Sequence, residues 1–163
     1  MDLDRILVTF NDHGVKFLLI GGVNFLLRHK PVLTFDIDFW IEDAKANIRR
    51  CEKTLAKLNA EWGKNDDDWG PVAQKKAGWL ARQTIYCLTS PLGAIDLFLQ
   101  VAGLGTWRES ARNAASITTE SGVSFYGLSD ADMLKCQEAL PEAERKIDRM
   151  NVLREALRRN KGT

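Results

Sequence analysis

Two aspartates, Asp36 and Asp38, stand one residue apart inside the apolar run FDIDFW. In an extended chain successive side chains point to opposite faces, so both carboxylates share one face while Phe35, Ile37 and Phe39 share the other. Same-face neighbours lie roughly 6.6 Å apart along a strand. Two ionised carboxylates at such spacing repel each other in a low-dielectric cleft unless a cation lies between them. Mg2+ suits the position, because it takes one or two protein carboxylates and completes its shell with water and phosphate oxygens. A bare Asp-x-Asp more often lines the solvated face of an edge strand, where it does no chemistry.

Two further features shift the balance towards chemistry. Asp96 stands in AIDLFLQ, flanked by Ile95 and Leu97, and so adds a third carboxylate in a strand context. Gly21 and Gly22 follow the apolar run VKFLLI and precede a helical segment. Backbone without Cβ atoms can approach an anion there, and a helix N-terminus presents unpaired N–H groups and a positive dipole end to phosphate.

The elements that must position these residues follow from periodicity. Leu3, Ile6, Leu7 and Phe10 form the stripe of a first helix that stops near Gly14. Val15 to Ile20 reads as a buried strand, Gly22 to Arg28 as a short helix closed by Pro31, and Phe35 to Ile41 as the strand carrying the aspartate pair. Ala44 to Trp62 carries apolar residues at helical spacing, whereas residues 63–79 mix turn formers and charges and read as a loop. Gln83 to Thr89 and Ala94 to Val101 flank Ser-Pro-Leu-Gly, the pattern of an antiparallel hairpin. Residues 103–116 suggest no more than a helical turn, and Val123 to Tyr126 reads as a short edge strand. Ser129 then opens one helix with Asp132 three positions on, an acidic variant of the capping box, and a last helix runs from Glu142 to about Arg159.

Strands and helices interspersed in this order predict an α+β fold, with a core over residues 1–127 and a C-terminal helical tail over 128–163. No repeat or linker divides the chain, so its 163 residues are expected to form one domain. With 23 basic and 22 acidic residues, no global field favours nucleic acid or an anionic membrane, and any polyanion site must be local. No apolar run approaches the roughly 20 residues of a membrane span. The acidic, amphipathic start MDLDRILVTF is unlike a signal peptide, and Cys51, Cys87 and Cys136 lack metal-ligand spacing. A cytoplasmic location with reduced thiols is the expectation.

The order of apolar strand, Gly-Gly, short helix, Asp-x-Asp strand and later single-Asp strand resembles the polymerase-beta-like nucleotidyltransferase superfamily. Its signature, hG[GS] then DhDh then a third carboxylate, is matched by Ile20-Gly21-Gly22, Asp36-Ile37-Asp38-Phe39 and Asp96. Thr34 to Asp38 and the tail from Leu128 to Leu153, with Lys135, Arg145, Lys146 and Asp148, are similar to the small abortive-infection (AbiEii-like) toxin type. The resemblance implies a mixed sheet flanked by helices and transfer of an NMP from an NTP to a hydroxyl on tRNA or protein. Asp36, Asp38 and Asp96 would be catalytic and would hold Mg2+ or Mn2+, while Gly21, Gly22, Thr34 and Lys135 would bind nucleotide. It further implies a toxin or phage-defence role with a cognate antitoxin. The alternative is a non-catalytic member of the fold that binds a nucleotide or partner. The sequence departs from the pattern at Val32, where that branch often has a basic residue, leaving Arg28 or Lys30 to serve from a shifted place.

Other conspicuous residues favour ordinary roles. His13 and His29 lie beside turn residues without partner spacing, Asp66 to Asp68 reads as an exposed acidic turn, and Trp62, Trp69, Trp79 and Trp107 as core or loop packing. The basic run Arg145 to Arg159 reads as a solvated helix able to touch RNA.

Overall fold

The computed structural model describes residues 1–162. Helix α1 (Leu3–Asp12) buries Ile6, Leu7 and Phe10, and Asp2 caps it by accepting a hydrogen bond from the Arg5 N–H. Strand β1 (Phe17–Ile20) runs straight into α2 (Gly21–Arg28), and β2 (Asp36–Ile41) follows. Next come α3 (Lys45–Lys57) and the short pair β3 (Glu61–Trp62) and β4 (Gly70–Pro71). The hairpin of β5 (Ile85–Leu88) and β6 (Ala94–Phe98) precedes α4 (Trp107–Arg112), β7 (Ala115–Thr118) and β8 (Ser124–Gly127). Two helices, α5 (Asp130–Glu138) and α6 (Ile147–Lys161), complete the order.

Six strands form one mixed sheet in the order β5-β6-β2-β1-β8-β7. β2 lies between β6, its parallel neighbour, and β1, its antiparallel neighbour, so the aspartate pair sits on an interior strand and not on an edge. Alternation sorts the sheet into two faces. One face, with Phe17, Leu19, Ile37, Phe39, Ile41, Ile95 and Leu97, packs on α1 and α3 and forms the main core. Phe10 stacks on Phe39 with ring centroids 4.1 Å apart, which fastens α1 to β2. The other face buries Leu18, Ile20 and Trp40 against Phe25 of α2, Met133 of α5, Leu153 of α6 and Leu128 from the link between β8 and α5. That second layer covers only part of its face, and the acidic end of β2 is left at its margin.

The α+β architecture agrees with the sequence expectation, and four boundaries differ for physical reasons. α3 ends at Lys57 instead of reaching Trp62, because Asn59 adopts φ 53° and the Ala60 N–H turns back to the Leu55 carbonyl. Trp62 is thereby released to stack against Trp79. α6 begins at Ile147, since Pro141 sets a separate 3-10 turn over Glu142–Glu144. The region 103–116 holds α4, opened by a Thr106/Glu109 capping box where the sequence suggested a helical turn, and then the start of β7, a strand the sequence did not announce. β7 takes the sheet edge, so β8 pairs on both sides and is not the edge strand. Among the described residues no helix is long and apolar enough to cross a membrane.

Candidate functional site

Parallel pairing of β2 with β6 sets Asp38 opposite Asp96, and Asp36 lies two residues before Asp38 on the same face. Three carboxylates from two strands therefore converge: each of Asp36, Asp38 and Asp96 offers an oxygen within 4.8 Å of the others. All three are part-buried. Burial, then the charges of Asp36 and Asp96, push the Asp38 carboxyl from 3.8 up to about 7, while Arg149 pulls it down. Burial and Asp36 raise Asp96 as well. Cys87, opposite Asp96 on β5, has its thiol raised by burial and then by the Asp96 charge. Such a cluster stores like-charge repulsion that a divalent cation relieves. Hard oxygen donors at this spacing fit Mg2+ or Mn2+.

The two glycines of the turn meet different neighbours. Gly21 has φ +70°, and a Cβ there would collide with the Asp38 carboxylate. Its missing side chain thus lets the catalytic candidate lie flat on the turn. Gly22 has no positive φ; a Cβ there would stand 2.9 Å from the Thr34 hydroxyl oxygen. Thr34 itself donates to the Asp36 carbonyl at 3.2 Å, so it braces the loop entering β2. The turn leads into α2, whose N-terminus carries no side-chain cap.

α2 is pinned from its other end. Asp130, buried at the start of α5, pairs with Arg28 at 3.0 Å and with His29 at 2.8 Å, while Arg28 also donates to the Leu128 carbonyl at 2.7 Å. Arg28 is therefore committed to structure, and His29, the C-cap of α2, is a half-buried partner in that cluster. His13 caps α1 through the Thr9 carbonyl. Lys135 is not brought to the triad: its ammonium lies 3.2 Å from Asp132, on a separate pocket with Glu109 and Asn113.

A cavity of about 370 Å3 opens beside the triad. Asp38 and Gly21 form one wall, and apolar side chains including Phe25, Phe98, Met133 and Leu140 form most of the rest. Arg149 of α6 lines it too, with its guanidinium 5.6 Å from the Phe25 ring centroid and 3.7 Å from the place a Gly22 Cβ would occupy. Sequence reading missed this residue. Its signal was its place beside Met150 and one turn before Leu153, the residues of α6 that are buried.

No family model matches the sequence, and no curated protein matches it. Among solved structures, a candidate nucleotidyltransferase from Thermotoga maritima aligns with a TM-score of 0.38 and 12% identity, over 80% of this chain and 65% of that one. The chain thus spans just under two thirds of that protein, and a likeness of this strength carries no argument about the site.

Proposed function

We propose that this chain is a divalent-metal-dependent nucleotidyltransferase that moves an NMP from an NTP to an acceptor hydroxyl. The convergence of Asp36, Asp38 and Asp96 beside a nucleoside-sized cavity is the observation that carries the reading. Bound Mg2+ or Mn2+ would supply charge neutralisation at the triphosphate and acidify the attacking hydroxyl. Asp36, Asp38 and Asp96 would hold the cation, and the Asp38 carboxylate lies against the Gly21 turn that leads into α2. Asp96, on the neighbouring strand, faces the acceptor and takes the proton its hydroxyl releases. The hydroxyl oxygen bonds to the α-phosphorus as the bond to the β-phosphate oxygen breaks, and pyrophosphate leaves. The uncapped start of α2 offers N–H donors to the phosphates.

The acceptor is an RNA end, such as that of a tRNA, or a protein hydroxyl, and a toxin or defence role with a cognate antitoxin is the narrower form of the same proposal. Incubation with each α-labelled NTP, Mg2+, total RNA and total protein tests it. Label is expected in one macromolecular fraction for wild type and in neither for Asp96→Asn. Incorporation that persists in Asp96→Asn, or is absent from wild type with every NTP, overturns the reading.

A further inference from the structure

We propose that Arg149 binds the phosphates of the nucleotide and, in doing so, moves away from Asp38, so that it opposes metal binding alone and favours binding of the metal-nucleotide complex. The inference rests on the nucleotidyl-transfer reading and adds to it the cation that reading lacks. The sequence offered Arg28, Lys30 and Lys135 for phosphate. Arg28 is held by Asp130 and the Leu128 carbonyl, and Lys135 by Asp132. Lys30 does not line the cavity. On the neighbouring turn, Arg145 spends its guanidinium on the carbonyls of Leu140 and Glu138.

Arg149 differs from all of these. No hydrogen bond or ion pair within 4.0 Å engages its guanidinium among the described residues, yet it is half-buried, placed over Phe25 beside Gly22, and lines the same cavity as Asp38. A planar fork of five donors without hydrogen bonds, in the wall of a mostly apolar cavity that also holds Asp38, is suited to bidentate contact with phosphate oxygens. Its positive charge beside Asp38 also repels an approaching cation. A bound triphosphate reverses the balance by supplying the negative charge that Arg149 and the metal share.

The two roles predict opposite shifts on removing the charge. Calorimetric titration of Mn2+ alone, and of Mg2+ with a non-hydrolysable ATP or GTP analogue, compares wild type with Arg149→Gln and Arg149→Lys, all shown to be folded by thermal melts. For Arg149→Gln, Mn2+ affinity is expected to rise roughly three- to tenfold. Nucleotide affinity is expected to fall roughly 10- to 100-fold, the range for losing hydrogen bonds to a charged group. Arg149→Lys keeps the charge but not the fork, so it should match wild type for Mn2+ and recover nucleotide affinity in part. Parallel weakening of both ligands would show that Arg149 only packs α6 on Phe25 and would overturn the proposal. So would unchanged nucleotide affinity in Arg149→Gln. A wild type that binds Mn2+ but neither nucleotide overturns the nucleotidyl-transfer reading itself, and the proposal with it.

Discussion

Replacing Asp38 with Asn should make the protein more stable at neutral pH, which is unusual for a part-buried residue in an interior strand. The Asp38 carboxyl is raised from 3.8 to about 7 by burial and by Asp36 and Asp96. The folded chain therefore keeps that proton up to about pH 7, whereas the unfolded chain releases it near 3.8. Between those values the unfolded state binds fewer protons, so wild-type stability declines as pH rises from about 4 to 7. A shift of that size corresponds to at most about 4 kcal/mol. Water at the cavity mouth and the shared repulsion with Asp96 reduce it to about 1–3 kcal/mol. An uncharged amide of the same shape escapes this penalty, and the melting temperature of Asp38→Asn should exceed that of wild type by roughly 3–10 °C at pH 7.5 for a chain of this length. The gain should shrink steadily towards pH 4. Millimolar Mg2+ should raise the melting temperature of wild type and leave the variant unmoved, because ligand stabilisation requires binding to the native state. Melts across pH 4–8, with and without Mg2+, test all three points. A variant that melts below wild type at every pH would show that Asp38 holds the fold through contacts and would refute the account of stored repulsion.

Three other outcomes follow from the same geometry. Gly21→Ala meets the Asp38 carboxylate and a positive φ together, so it should lose about 1–3 kcal/mol of stability and most Mn2+ affinity, as read by denaturant melts and metal titration. Asp130→Ala strips Arg28 and His29 of their buried partner and should lose about 3–5 kcal/mol in urea unfolding. Lys135→Ala breaks a pair between a solvated ammonium and the buried Asp132, so a loss of about 1 kcal/mol with unaltered nucleotide affinity is expected from urea unfolding and nucleotide titration.

The chemistry-bearing strands were legible because strand alternation is a local property. Asp36, Asp38 and Asp96 each declare their face by their immediate neighbours, and the Ser-Pro-Leu-Gly turn announces the hairpin that brings β6 into the sheet. What the residues did not declare was which strands would be adjacent, and that adjacency is what sets Asp96 opposite Asp38. β7 escaped notice because Ala115–Thr118 is a weakly apolar edge strand that gains its structure from pairing with β8. Arg149 escaped for a related reason. In sequence it is one cation in a basic helix, and only the packing of Met150 and Leu153 turns it towards Asp38. A further demand on Gly21 was hidden by the same kind of tertiary fact: the space beside it is filled by Asp38, a residue from the next strand.

The central claim is that Asp36, Asp38 and Asp96 jointly hold the metal that meets the nucleotide. Anomalous diffraction from crystals grown with Mn2+ and a non-hydrolysable NTP measures this directly. The account predicts Mn2+ peaks within about 2.5 Å of oxygens from all three carboxylates, with the triphosphate on the same ions. Mn2+ density elsewhere, or nucleotide bound without touching an ion at the triad, would contradict it.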